Sequence, residues 1–436
     1  MIALLDYGAG NVRSVINAIE NLGEDVKIVS GPDDIVSAQK LVFPGVGSFG
    51  SMMRILEEKH YIEPLKAYLR SGRPFLGICL GLQALFEKSE EAPGQKGLGL
   101  FPGYAKRFDI DLSVPHIGWN GINVKQPSRL FSGLRGDDKL YFVHSYHVVP
   151  TDASIVMTTT DYGYEFVSGI QQGSIIATQF HPEKSGSAGR TLLKNFLEIH
   201  SEKATPTRVS ERTRLAKRII ACLDVRSNDQ GDLVVTKGDQ YDVRENGHVR
   251  NLGKPVDLAR RYYQEGADEI AFLNITGFRD FPLEDIPMLE VLRQTSKNVF
   301  VPLTIGGGIK DYADKDGRQY TALEVATEYF RSGADKISIG SDAVLIAEAY
   351  LMTGKATGQS SIEQISRVYG NQAVVISIDP RRVYVDSPGA VDHHVIETEI
   401  PGPNGEKYCW YQCTIKGGRE GRDLDAVTLA RVCEKL

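Results

Sequence analysis

The sequence predicts an α/β protein in two parts, each built on a largely parallel sheet. Three observations carry this expectation. Short apolar runs alternate with amphipathic stretches along almost the whole chain, and a polar segment, Ser201–Leu215, divides them into two series. The runs of the second series each end in a polar residue or a glycine. Alternating strands and helices call for a parallel sheet covered on both faces.

In the first series IALLDY, DVKIVS, KLVFPG, RPFLGIC, YFVHSYHVV and SIIATQF read as strands. Helices are expected over Gly10–Leu22, Met52–Ser71, Leu80–Lys88 and Gly186–His200. The segment SEKATPTRVSERTRL, charged and carrying Pro206, reads as a linker. The expected domains are therefore 1–202 and 217–436, joined by 203–216.

In the second series RIIACLD, EIAFLNI, VFVPLTI, KISIG and AVVISID end at Asp224, Asn274, Gly306, Gly340 and Asp379. Helical segments such as Pro255–Gly266 and Thr321–Gly333 separate them. Strand–helix units whose strands all end in functional residue types predict a (β/α) barrel. The phrase G-A-D-E/K-I, found at Gly266–Ile270 and again at Gly333–Ile337, supports repeated units. After the fifth run comes an irregular insert, Arg381–Gly418, with the turn signal PGPNGEK, and then a final helix over Asp423–Leu436.

Composition narrows the function classes. The 436 residues carry 50 Lys plus Arg against 56 Asp plus Glu, a net charge of -6, which argues against binding nucleic acid by phosphate neutralisation. No run approaches the roughly 18 apolar residues of a membrane helix. The N-terminus, MIALLDYGAGN, lacks a charged leader and the Arg- and Ser-rich character of a transit peptide. The five cysteines are odd in number and have no paired zinc spacing; Cys409-x3-Cys413 stands without a second pair. No metal or cofactor is expected. The thiols fit a reducing cytoplasm, with a plastid the alternative for a plant protein whose leader is missing.

The segment GICLGLQ runs from a strand into a helix, and Gly77 and Gly81 flank Cys79. A side chain at such a turn is pushed out of the sheet, and a helix N-terminus favours a thiolate. The alternative is a buried structural cysteine. A thiolate nucleophile needs a base and an orienting carboxylate, and His181-Pro182-Glu183, directly after a strand, offers both. His116, His144 and His147 compete, but none has a carboxylate two residues away after a strand. Gly45-Val46-Gly47, in PGVG, could turn backbone N–H groups toward a developing oxyanion. On its own PGVG is more often a plain turn.

GICLGLQ, PGVGSFG and QFHPEKS together resemble the class I glutamine amidotransferases, over about the first 200 residues. The resemblance implies a flavodoxin-like sheet, a γ-glutamyl thioester on Cys79, His181 as base then acid, and Glu183 as its orienting group. It further implies that Gln83, Glu91, Ser145 and Tyr146 hold the glutamine. HIGWN, YFVHSY and HPEKS are similar to the glutaminase of imidazole glycerol phosphate synthases.

In the second half Asp224 and Asp379 end the first and fifth expected strands, which lie opposite one another in a closed barrel. Two opposed carboxylates can divide acid and base roles across a ring-closing substrate. Each taken alone is more often a capping or loop-anchoring residue. Gly306-Gly307-Gly308 and Gly340-Ser341 read as phosphate loops, and Lys237 stands in a loop that could reach a substrate phosphate.

RIIACLDV, VVTKGDQ, FLNIT, PLTIGGGI, GADKISIGSDA and AVVISID resemble the cyclase of the same synthase family. The order glutaminase–linker–cyclase and the long insert with EKYCWYQCTIKGGRE resemble its fused fungal and plant form. The resemblance implies that ammonia released at Cys79 travels through the barrel to phosphoribulosylformimino-aminoimidazole-carboxamide ribonucleotide. The products would be imidazole glycerol phosphate and the aminoimidazole carboxamide ribonucleotide, with Asp224 and Asp379 as the acid–base pair. Arg218, Glu269 and Lys336 would ring the barrel's lower mouth, and Lys184 would meet Asp335 across the interface. The implied partners are these small molecules alone, with neither nucleic acid nor membrane. The expected state is a monomeric single-chain fusion, with an open barrel edge as the surface for self-association.

A complete barrel takes roughly 250 residues, and Arg218 to the end is shorter, with the insert inside it. The expectation is a (β/α)-barrel domain lacking its last three strands, the fourth charged residue of the ring and the second phosphate site. A truncated gene product, a chain completed by another fragment and a genuine loss of cyclase function all fit; truncation is the favoured reading. The alternative function is a glutaminase whose second half acts as a docking or regulatory module.

Overall fold

A computed structural model describes residues 1–8, 11–199, 214–237, 244–245, 248–275, 283 and 286–436. The expected linker lies mostly outside the described residues, as do Gly10, His200, the GDQ of VVTKGDQ and the threonine of FLNIT.

In the first half the sheet is mixed rather than mostly parallel. Val26–Ile28, Ile2–Leu4, Lys40–Gly45, Phe75–Cys79 and Ile175–Thr178 lie side by side in parallel. Tyr164–Gln172 and Tyr146–Pro150 then continue it antiparallel, followed by Phe101–Arg107 and Phe86–Ser89. The parallel strands are apolar along their length because helices cover both faces. Phe43, Phe75, Leu41 and Leu65 are wholly buried, and each such side chain contributes roughly 1.5–3 kcal/mol.

Three expected helices end differently. Met52–Ser71 is two helices, Phe49–Glu58 and Ile62–Arg70, broken at His60 with φ 58°. Leu80–Lys88 is one turn, Leu80–Gln83, because Phe86–Ser89 pairs with Phe101–Arg107 and takes the backbone groups a longer helix would use. The helix over Gly186–Leu197 stops three residues short of the expected end.

The second sheet runs Leu233–Thr236, Ile220–Ser227, Glu269–Asn274, Leu303–Gly306, Lys336–Ile339 and Val374–Ile376. The last five are parallel, and the first is antiparallel to Ile220–Ser227. Helices Pro255–Gln264, Pro287–Thr295, Ala322–Arg331 and Ser341–Thr353 intervene. Among the described residues this sheet is open, with Ile220–Ser227 and Val374–Ile376 separated by three strands.

Arg381–Gly418 is not irregular. Pro380–Val385, Ile396–Glu397, Tyr408–Ile415 and Glu420–Asp425 form a four-stranded antiparallel sheet. It docks on Ser341–Thr353 through a two-pronged ion pair from Arg422 to Glu348, at 2.9 and 2.8 Å. The final helix is Ala426–Lys435; Asp425 caps it by accepting from the N–H groups of Val427 and Thr428.

The barrel's lower end sits on the first half. Trp119 donates to the Asp268 carbonyl (3.2 Å), Gly186 N–H to Phe300 (3.1 Å), and Asn17 to Ser296 (2.9 Å).

Candidate active sites

Cys79 closes the strand Phe75–Cys79 between Gly45, its partner in the ladder, and Gln179, which follows the strand on its other side. Its backbone is left-handed, φ 53°, a conformation uncommon for a residue with a side chain. The surroundings impose it. A Cβ on Gly81 would come within 2.1 Å of the Phe43 carbonyl oxygen, and one on Gly45 within 2.5 Å of the Gly81 nitrogen. Only glycines allow the two turns to close on each other, and the turn presents the sulfur at the sheet's end. The expected helix N-terminus contributes little here, because the helix is a single turn.

His181 follows the strand Ile175–Thr178, and its Nδ1 meets Glu183 Oε1 at 2.8 Å. All three side chains are nearly excluded from water. Burial acts to lower the proton affinity of His181, but the Glu183 carboxylate and Cys79 overcome it and hold the imidazole well above its ordinary value. With Nδ1 held by Glu183, the buried Nε2 is the ring nitrogen left for Cys79.

The pocket around Cys79 holds only about 30 Å³, room for roughly one water. Gly45, Val46, Gly47, Gln83, Glu91, Ser145 and Tyr146 all line it. Val46 N–H is already used, donating to the Tyr7 hydroxyl at 3.0 Å. Glu91 accepts from Phe49 N–H (2.8 Å), while burial raises its carboxyl. Gln83 directs its amide N–H groups inward, to the Tyr146 carbonyl (3.0 Å) and to Gln179 (3.3 Å). Gln372, from the second half, completes the wall. Nothing local in the sequence marks Gln372, because its role exists only once the halves meet.

The competing histidines are elsewhere employed. His116, His144 and His147 pack among Phe108, Phe142 and Phe166. Burial lowers His116 to about 3 and His147 to about 4, so both are neutral at pH 7.

At the lower mouth of the barrel Glu269 sits between Arg218, 3.7 Å away, and Lys336, which contacts its other oxygen. Thr304 donates to Glu269 as well, at 2.8 Å. Lys184 meets Asp335 at 2.6 Å, and Asp335 also accepts from Asn11 (2.8 Å) and from Leu303 N–H (2.8 Å). Tyr141, its ring 6.4 Å from that of His181, is buried with its hydroxyl unpartnered. Burial raises its pKa, and Glu269, Asp335 and Cys79 raise it further.

At the opposite end of the second sheet a cavity of about 530 Å³ opens. Gly307, Gly340, Ser341 and Asp379 line it, joined by Arg226, Lys310, Lys416 and Arg419. Gly306, Lys237 and Asp224 are not among its lining residues. Asp224 is half-buried, with its carboxyl raised by that burial, and three strands separate its strand from that of Asp379. The described structure therefore does not bring the expected carboxylate pair into one cavity.

The insert sheet supplies what sequence reasoning missed. Thr414 donates twice to the Asp379 carbonyl, from N–H (3.1 Å) and from its hydroxyl (2.5 Å). Lys416 N–H donates to Ser341 Oγ (3.2 Å). The signal was the run Ile415-Lys-Gly-Gly-Arg419, whose left-handed Lys416, Gly417 and Gly418 turn the chain back over the cavity.

Fold and sites together define a glutamine amidotransferase of class I joined to a (β/α) synthase domain. Residues 3–199 match the family described as Glutamine amidotransferase class-I, and residues 218–436 match the Histidine biosynthesis protein family. "Imidazole glycerol phosphate synthase hisHF, chloroplastic" of Arabidopsis thaliana is 58% identical over 443 residues, covering 100% of this chain and 75% of that protein. The hisHF synthase of Schizosaccharomyces pombe is 56% identical (100% and 84%), and that of Emericella nidulans 52% (100% and 83%). The chain belongs to the imidazole glycerol phosphate synthase family, in its fused glutaminase–cyclase form.

Proposed function

We propose that residues 1–202 hydrolyse glutamine and that residues 217–436 use the released ammonia to make imidazole glycerol phosphate from the formimino ribonucleotide. Cys79 Sγ attacks the γ-carboxamide carbonyl while His181 Nε2 takes the thiol proton. Glu183 fixes the imidazole and offsets its positive charge. The tetrahedral adduct expels ammonia, which receives its proton from His181, and leaves a thioester on Cys79. Water, deprotonated by the same imidazole, then releases glutamate. Gln83, with its N–H groups turned inward, offers its carbonyl oxygen to the substrate ammonium.

The observation that carries the coupling is Tyr141. Its buried hydroxyl has no hydrogen-bond partner, and its ring lies 6.4 Å from that of His181. On this reading ammonia leaves the Cys79 pocket past Tyr141 and passes the ring of Arg218, Glu269 and Lys336 to enter the barrel. At the far end Gly307, Gly340 and Ser341 hold a substrate phosphate, Lys416 and Arg419 add positive charge, and Asp379 acts on the closing ring. Asp224, with its carboxyl raised by burial, is the second acid–base group on this reading.

The alternative, a glutaminase with a docking module, is favoured by one observation, the separation of Asp224 from the cavity of Asp379. An ammonia-dependent cyclase assay on the full chain separates the two. Product formation, abolished by Asp379→Asn, supports the synthase; no product at saturating ammonia supports the alternative. Among the described residues no helix is long and apolar enough to cross a membrane. We place the chain in the cytoplasm as a monomeric fusion, with a plastid as the counterpart of its chloroplastic relative.

A further inference from the structure

We propose that Gln179 is a catalytic hydrogen-bond donor to the Cys79 sulfur, held in that role by a polar chain anchored on one backbone carbonyl. The inference rests on reading Cys79 as the nucleophile. Gln179 is wholly buried, and its Nε2 lies 3.4 Å from Cys79 Sγ. An amide can present either an N–H or an oxygen, and only the N–H is compatible with a sulfur that becomes negative.

Hydrogen-bond accounting decides which it is. The Tyr146 carbonyl can only accept. Gln83 lies 3.0 Å from it and must present its NH2 group there. The other hydrogen of that NH2 faces Gln179, 3.3 Å away, so Gln179 must answer with its oxygen. Its NH2 is then left pointing at Cys79. Reversing Gln179 would set N–H against N–H on one side and oxygen against sulfur on the other.

The same carbonyl fixes a second arm. His144 Nδ1 lies 2.8 Å from the Tyr146 oxygen and must carry the proton, so its Nε2 accepts from His116 Nδ1 at 3.2 Å. His116 Nε2 in turn accepts from Asn120, at 3.4 Å. The orientation of Asn120 is set independently, because its NH2 donates to the Asp161 carbonyl and its oxygen accepts from Gly121 N–H. The two arms share the Tyr146 carbonyl as acceptor, and the glutamine arm alone runs on to the sulfur.

A donor in this position is worth more to the thiolate than to the thiol or the thioester. It favours the attacking form of Cys79, and it favours the departing sulfur when water cleaves the thioester. The glutamine itself is bound by other groups, so the effect falls on turnover.

The test uses the full chain and three variants, Gln179→Met, Gln179→Glu and Cys79→Ala, with glutamine hydrolysis and alkylation by iodoacetamide at pH 7 as readouts. Removing one donor to a charged acceptor lowers kcat roughly 10- to 100-fold and leaves KM within roughly 3-fold. Alkylation of Gln179→Met slows in parallel. Gln179→Glu, which fills the same space but sets a carboxylate against the sulfur, loses more. Wild-type kcat and alkylation in Gln179→Met overturn the proposal. If that variant does not fold, unchanged kcat in Gln179→Glu overturns it instead. Cys79→Ala distinguishes the two levels: if it still hydrolyses glutamine, the nucleophile assignment fails. If it is inactive while Gln179→Met is normal, only the donor role fails.

Discussion

Three residues show how tightly the glutaminase half is specified. Gly81 has the Phe43 carbonyl oxygen where a Cβ would stand, 2.1 Å away. Gly81→Ala therefore forces the strand Lys40–Gly45 outward, costs about 1–3 kcal/mol and removes glutaminase activity; thermal unfolding and a glutamate-release assay check both. His116 and His147 are neutral in the folded protein, lowered by burial to about 3 and about 4. Unfolded, each titrates near its ordinary value of about 6.5. Below that value the unfolded chain binds more protons, so their contribution is present near neutrality and is lost as pH falls toward 4. Each removes about 1.4 kcal/mol per pH unit in that window. Denaturant unfolding at pH 7 and pH 5 should show the loss, and a smaller one in His147→Gln. A pH-independent stability would contradict it. At this scale Cys79, His181 and Glu183 were legible because each belongs to a short motif whose geometry is local. Gln179, Tyr141 and Gln372 were not, because what they touch comes from distant parts of the chain.

At the scale of elements, strands with strong apolar runs were legible and helix ends were not. Leu80–Lys88 looks helical until its neighbours are known; pairing with Phe101–Arg107 turns its second half into a strand. The insert hides its sheet because its strands pair mainly with one another, without the regular helix spacing that marked the rest. Thr321 shows a helix start that local chemistry does set. Its hydroxyl accepts from Glu324 N–H, and the Glu324 carboxylate accepts from Thr321 N–H. The helix it starts, Ala322–Arg331, leads directly to Gly333–Asp335 at the interface. Thr321→Ala should cost about 1 kcal/mol, and Thr321→Ser should recover most of it in the same unfolding measurement.

At the scale of the molecule the first half's Cys79 pocket is built against the second half, which supplies Gln372 to its wall. Lys184 and Asp335 are the buried anchor of that contact. Lys184→Met leaves Asp335 with two neutral donors and loosens the junction. Glutamine hydrolysis should continue, while product made from glutamine falls several-fold relative to product made from free ammonia. An unchanged ratio would show that the ion pair does not seal the junction. The pairing of a glutaminase with a barrel was legible from the motifs and their order. The closure of the Cys79 pocket by Gln372, and the separation of Asp224 from the cavity of Asp379, were not, because both depend on how sheets are placed in space. The central claim is that ammonia passes directly from Cys79 to the ribonucleotide site. Its most direct test supplies glutamine with a heavy amide nitrogen alongside excess ordinary ammonium, and weighs the imidazole product. Channelling predicts product carrying the heavy nitrogen; product with the isotopic composition of the bulk ammonium, or no product from glutamine at all, would contradict it.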